Sequence, residues 1–170
     1  MTLPSPHLAP LALGLTGAIV TDLRSRRIPN AISIFILLSG LIVRSLEQGW
    51  LAALSGVGAA ALVVAALYRP WLMGGIGGGD VKLAAATAAW VSFARLPWFA
   101  LAAALAGGLV AFATYLWARG AARAEIRANL TLTVLRQELP AVASHRAGHP
   151  SVPYALAIAA GAAAVFLLRL

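Results

Sequence analysis

Cysteine, charged residues and acidic residues are the classes that this sequence lacks or nearly lacks. There is no cysteine, which excludes a disulfide framework, a thiolate nucleophile and a cysteine-rich zinc site. Only 11% of the 170 residues are charged, whereas 61% are hydrophobic. Soluble domains carry roughly a quarter charged residues. Because so few polar side chains cannot cover a water-facing surface, the composition predicts a protein that lies in a lipid bilayer.

Long runs of Ala, Leu, Val and Gly predict the secondary structure. They lack the period-two alternation of membrane β-strands and therefore favour helices. A span needs about 20 mainly apolar residues, and shorter ones are tolerated where the helix ends are buried. We predict an all-α polytopic membrane protein with about six transmembrane helices in one domain, residues 1–170. The predicted spans are 4–21, 31–46, 50–68, 80–95, 97–118 and 152–168.

The basic residues predict the orientation in the membrane. The net charge of +8 falls mostly between the spans, where it sets topology, and we expect no nucleic-acid partner. Ten of the 13 Lys and Arg residues lie in or beside the first, third and fifth loops: Arg24, Arg26, Arg27, Arg69, Lys82, Arg119, Arg123, Arg127, Arg136 and Arg146. The other side carries Arg44, Arg95 and Arg169. Since cytoplasmic loops concentrate Lys and Arg, we predict these three loops inside and both termini outside the cytoplasm.

The fifth loop, residues 119–150, is the one sizeable polar region. Ile126 and Leu130 alternate there with Arg123 and Arg127 at helical spacing. This pattern predicts a basic amphipathic helix that lies on lipid at the inner leaflet. A solvated helix whose arginines only enforce topology explains the pattern equally well.

Two aspartates, Asp22 and Asp80, lie at the ends of predicted membrane spans, and their presence there needs an explanation. An ionised carboxylate at the centre of the hydrocarbon costs on the order of 3 kcal/mol or more. The first predicted helix runs inward and ends at Asp22, whereas the fourth runs outward and begins at Asp80. Both carboxylates therefore lie near the cytoplasmic boundary. Two carboxylates that share a proton have separated pKa values, which is the arrangement of an aspartic peptidase.

Each aspartate also has a structural explanation. Asp22 could pair with Arg26 one turn on, and Asp80 could cap the fourth helix, since Asp suits a helix N-terminus. The remaining acids, Glu47, Glu125 and Glu138, are expected to be solvated or ion-paired at the surface.

Two segments flank the aspartates. Gly77 and Gly79 belong to a glycine run before Asp80, which would let a substrate backbone approach closely or would only make a flexible connection. Pro29 and Asn30 follow the basic residues after Asp22 and are expected to form the turn into the second helix. Lys82 could reach lipid phosphate or act on Asp80, and the sequence does not separate these roles.

The order of these motifs resembles that of the type IV prepilin peptidases. The matching elements are Asp22 with Ile28-Pro29-Asn30, Gly77-Gly78-Gly79-Asp80 with Val81-Lys82-Leu83, and Pro153-Tyr154 at the last helix. The Gly-x-Gly-Asp element also occurs in presenilin-like and archaeal preflagellin peptidases. Thr21 stands where the presenilin-like pattern has tyrosine, which favours the bacterial branch.

The resemblance implies a function and a set of site residues. It implies a Gly-x-Gly-Asp aspartic peptidase of the bacterial inner membrane, which removes the short basic leader of prepilins at the cytoplasmic face, beside pilus or secretion machinery. Asp22 and Asp80 would be the catalytic dyad. The supporting positions would be Gly77, Gly79, Lys82, Pro29, Asn30, Pro153 and Tyr154. Without cysteines, the chain is similar to the compact Flp or Tad type, for which no methyltransferase activity is expected.

Two other classes of function could account for some of the same residues. A small ion-coupled transporter or channel could use the same aspartates to bind a cation, but neither aspartate lies in mid-span and no inverted repeat is evident. A structural subunit of a secretion machine could keep the same scaffold. His145 and His149 do not predict a metal site, because Gly148 and Pro150 interrupt the helix that would align them. We expect neither a metal nor a cofactor.

Overall fold

A computed structural model of the chain describes residues 6–117 and 154–168, and all regular structure in these ranges is helical. A 3-10 turn, Pro6–Leu8, leads into the first helix, and a second one, Phe93–Arg95, precedes the fifth. The α-helices are α1 (Ala9–Ser25), α2 (Asn30–Gln48), α3 (Trp50–Leu72), α4 (Gly78–Ala88), α5 (Leu96–Trp117) and α6 (Tyr154–Leu167).

Three helical segments are long and apolar enough to cross a membrane: Asn30–Gln48, Trp50–Leu72 and Phe93–Thr114. Many large apolar side chains on these segments are exposed, among them Leu105, Leu109 and Phe112. Such a surface suits lipid, because apolar side chains can face acyl chains when the backbone is paired within helices. The chain is therefore a helical membrane protein. The count of six spans stays a prediction, since α1, α4 and α6 have only 17, 11 and 14 residues.

The short helix α4 lies at the centre of the bundle, where α2, α3 and α6 pack around it. Every side chain from Leu83 to Ala88 is buried. Four of these six residues are alanine, and small side chains let neighbouring helices approach closely. At the far side of the bundle, Gly161 of α6 lies against the α5 backbone, where an added Cβ would be 3.0 Å from Ala103 N and from Phe99 O.

The predicted fourth span, residues 80–95, is longer than the helix that forms. Helix α4 ends at Ala88, and the chain turns before the 3-10 segment Phe93–Arg95. The cause is a tertiary contact at Trp90. Its ring packs on Gly40 of α2, and its indole N–H donates to the Ile36 carbonyl at 2.7 Å. The amphipathic loop predicted at 119–150 lies outside the described residues.

Candidate active site

Asp22 lies in the last turns of α1, and its side chain is turned into the bundle. The residue is only 7% exposed. The backbone N–H of Ala155 donates to Asp22 Oδ2 at 3.3 Å. Ala155 is the second residue of α6, and the first N–H groups of a helix have no partner within the helix. Asp22 therefore provides the acceptor for an N–H donor that has no acceptor within α6, and it lies at the positive end of that helix.

Asp80 lies in the first turn of α4, and its carboxylate folds back on the start of its own helix. It accepts a hydrogen bond from the backbone N–H of Gly77, the N-cap residue. A Cβ on Gly77 would lie 2.8 Å from Asp80 Oδ2, a separation that real Cβ contacts do not show. Gly77 is therefore glycine because the carboxylate occupies the place of its side chain. Asp80 therefore bonds to the N-cap residue from within the first turn of α4 and is not itself the N-cap.

Electrostatics couple the two aspartates. Burial and, to a smaller extent, the negative charge of Asp22 raise the pKa of Asp80 from its usual 3.8 to about 6, while the Gly77 hydrogen bond acts in the opposite direction. Helix α4 is not one of the membrane-length helices, and Asp80 lies at its open N-terminal end. A carboxyl with a pKa near 6 exchanges its proton close to neutral pH, as a catalytic acid or base must.

Helix α6 connects the two aspartates, because it packs against both α1 and α4. Tyr154, its first residue, is half-buried, and the charge of Asp80 acts on its hydroxyl. The next residue, Ala155, donates its backbone N–H to the Asp22 carboxylate. The start of the last helix, where the resemblance placed supporting residues, thus binds the Asp22 carboxylate and lies within the electrostatic influence of Asp80. Pro153 lies outside the described residues.

The turn between α1 and α2 packs against the start of α4. Arg26 ends α1 in the left-handed conformation (φ 53°), and its N–H donates to the Asp22 carbonyl at 2.9 Å. Pro29 is the N-cap of α2. Lys82 Nζ donates to Asn30 Oδ1 at 3.0 Å, and Ile28 lies beside Gly79, where an added Cβ would be 3.4 Å from Ile28 Cβ. These contacts hold the start of α2 against the start of α4, close to both aspartates.

Sequence reasoning missed one group of the site, the backbone N–H of Ala155. No residue pattern could have shown it, because a backbone donor is present at every non-proline position and only its location is special. Within the described ranges, no three His, Cys, Asp or Glu side chains are grouped as metal ligands. His145 and His149 lie outside those ranges.

The fold and the site define a helical membrane protein with a coupled pair of aspartates. A sequence model of the type IV leader peptidase family matches residues 9–112, and the chain belongs to this family of proteases. The match contains both aspartates and the glycine run, and it ends before α6. Neither a curated protein nor a solved structure shows a significant match to the chain.

Proposed function

We propose that the protein is an aspartic endopeptidase in which Asp22 and Asp80 activate one water molecule between them. The observation that carries the proposal is the coupling of two carboxyl groups at one site, Asp22 buried and Asp80 with its pKa raised to about 6 by burial and by the charge of Asp22. Two such groups hold one proton over a range of pH, so that an acid and a base are present together.

We assign the proton of the pair to Asp80, whose pKa is raised, and the role of base to Asp22, which accepts a hydrogen bond at the N-terminus of α6. Asp22 takes a proton from water while the water oxygen bonds to the scissile carbonyl carbon. Asp80 donates its hydrogen bond to the carbonyl oxygen, where negative charge develops. Collapse of the tetrahedral intermediate breaks the C–N bond. The leaving nitrogen takes a proton from the dyad, so that an acid and an amine are released.

The substrate we propose is the precursor of a type IV or Flp-type pilin, cut after its short basic leader at the cytoplasmic face of the inner membrane. Such a precursor continues beyond the cut as an apolar helix. An open apolar cleft of about 270 Å³ lies between α1 and α2 and is lined by Leu13, Gly14, Gly17, Ala31, Ile32 and Phe35. Gly17 precedes Asp22 by five residues, which is about 7.5 Å of helix. We propose that the precursor docks laterally in this cleft.

Cleavage of a tagged precursor by membranes tests the dyad. Wild type, Asp22→Asn, Asp80→Asn and Glu47→Gln would be mixed with the precursor, and loss of the leader would be followed by gel shift. Glu47 is a matched acid, since it is exposed and lies against His7 at 3.2 Å on another part of the bundle. We expect cleavage by wild type and Glu47→Gln alone. Normal processing by either aspartate variant would refute the dyad, and an ion flux without processing would favour a transporter.

A leucine at Gly17 tests the cleft. The nearest atom to an added Cβ there is Ile32 Cδ1 at 3.6 Å, so a larger side chain would fill the cleft, not the protein core. Gly17→Leu should raise KM for the precursor. Gly108→Leu on α5 should not, because none of the described residues lies within 4 Å of a Cβ added at Gly108. An unchanged KM in Gly17→Leu, with normal expression, would place the docking surface elsewhere.

The absence of cysteine makes the proposed topology directly measurable. Ser25→Cys and Ser45→Cys are nearly isosteric changes at exposed positions near opposite ends of the α1–α2 pair. A membrane-impermeant maleimide should label Cys at 45 in intact spheroplasts and Cys at 25 only in inverted vesicles. The reverse labelling would put the aspartates on the outer face.

A further inference from the structure

A polar cavity, separate from the apolar cleft between α1 and α2, lies at the end of the bundle opposite the aspartates. It has a volume of about 240 Å³, and its polar lining comes from Arg44 and Gln48 of α2 and from Ser92 and Arg95 before α5. Val165 and Phe166 of α6 close the apolar side. Arg44 follows Asn30 by fourteen residues, about 21 Å along α2, so this cavity is separate from the aspartate pair.

Arg44 carries a buried positive charge toward this cavity. The residue is 7% exposed, and its Nε–H donates to the Ala52 carbonyl at 3.1 Å and one Nη1–H to the Trp90 carbonyl at 3.2 Å. A guanidinium has five N–H donors. Both of these carbonyl acceptors are neutral, and no carboxylate is among the described residues that line the cavity. A buried cation without an opposite charge is costly, and an anion in the cavity would offset that cost.

Arg95 adds a second positive charge at the rim, where it is exposed. Glu47, the one carboxylate of α2, is engaged with His7 at 3.2 Å and does not line the cavity. Arg44 and Arg95 are also two of the three basic residues that charge alternation places outside the cytoplasm, where Lys and Arg are disfavoured. Two of these three arginines therefore converge on one cavity.

We propose that this cavity binds a phosphate group, held by the guanidinium groups of Arg44 and Arg95 with Gln48 and Ser92 as further donors. Arginine forms paired, charge-assisted hydrogen bonds to phosphate oxygens, and a planar fork of donors suits a tetrahedral oxyanion. The volume is several times the roughly 30 Å³ that a water molecule occupies in the liquid, so a phosphoryl group fits. The phosphate comes from a phospholipid headgroup at the membrane boundary or from free phosphate.

Thermal unfolding of the purified full-length protein in a non-ionic detergent tests the proposal. One arm adds inorganic phosphate, and the other adds micellar short-chain phosphatidylglycerol, with uncharged diacylglycerol as the matched lipid. We expect a saturable rise in Tm. Stabilisation by both phosphate probes identifies the phosphate group itself as sufficient, and stabilisation by phosphatidylglycerol alone assigns the site to lipid headgroups. No rise with either probe, or an equal rise with diacylglycerol, would overturn the proposal.

Variants locate the effect. Arg95→Gln removes an exposed charge at the rim and should weaken phosphate binding about tenfold, the effect of one lost charge-assisted contact. Arg69→Gln removes the same charge from the exposed end of α3 and should leave binding unchanged. Arg44→Lys keeps the buried charge but loses the paired donors, and it should therefore also bind phosphate more weakly. An equal affinity in Arg95→Gln and Arg69→Gln would overturn the proposal even if Arg44 variants fail to fold.

Discussion

Adding one methyl group at Gly77 should damage the catalytic site while leaving the fold intact. In Gly77→Ala the new Cβ would lie 2.8 Å from Asp80 Oδ2, so the carboxylate must rotate away. The backbone at Gly77 has φ −68° and ψ 140°, a conformation that any residue adopts, and no backbone strain is added. The only obstacle is the end of a side chain, so the protein should still fold, and the free energy of unfolding should fall by no more than the one hydrogen bond that the rotation breaks, about 0.5–1.5 kcal/mol.

The expected loss of activity follows from the contact that breaks. Rotation of the carboxylate removes the hydrogen bond from the Gly77 N–H to Asp80. Because Asp80 is the protonated member of the pair, its hydrogen bond is one to a neutral group, which contributes about 0.5–1.5 kcal/mol, and about 1.4 kcal/mol corresponds to a factor of ten. If the full contribution is lost from the transition state, the rate of leader cleavage should fall by about 2- to 10-fold.

Gly79→Ala is the matched control for this experiment. An added Cβ there meets Ile28 Cβ at 3.4 Å, an ordinary contact, and it does not meet a carboxylate. Single-turnover cleavage of a pilin precursor would be measured for both variants, with thermal unfolding as the check on folding. We expect Gly79→Ala to keep most of the wild-type rate. Near-normal cleavage by Gly77→Ala, or an equal loss in both variants with normal unfolding, would refute the reasoning.

Three further predictions concern protonation, the α2–α4 contact and helix packing. Because the pKa of Asp80 is raised from 3.8 to about 6, cleavage should fall as pH rises through about 6, and the folded protein should lose stability as pH rises from 3.8 to 6. Asp80→Asn should abolish that slope in unfolding experiments. Lys82→Ala and Asn30→Ala should each slow cleavage by the same factor, up to about tenfold, and the double variant no further, as a double-mutant cycle would show. Gly161→Ala should lower stability by about 1–3 kcal/mol in thermal unfolding, because its Cβ meets the α5 backbone, whereas Gly108→Ala should not.

The sequence determined the class of fold through its composition. With 61% hydrophobic and 11% charged residues, the chain cannot form a water-covered domain. Its apolar runs lack the alternation of membrane β-strands, so helices are the secondary structure that the sequence predicts. It could not determine where α4 ends. The apolar run continues to Val91, yet the helix stops at Ala88 because Trp90 is drawn onto Gly40 and Ile36 of α2. That contact joins residues far apart in the chain, and no local pattern encodes it.

At the site, two aspartates in an otherwise acid-poor apolar chain were conspicuous from the sequence, and the motifs around them carried the family resemblance that the comparison with family models confirmed. The tertiary structure decided how the two carboxylates differ. Asp22 accepts the Ala155 N–H at the start of α6, and Asp80 folds onto Gly77 and has a raised pKa. The physical reason is that hydrogen bonding and burial depend on which helix end meets which side chain, and this follows only from packing.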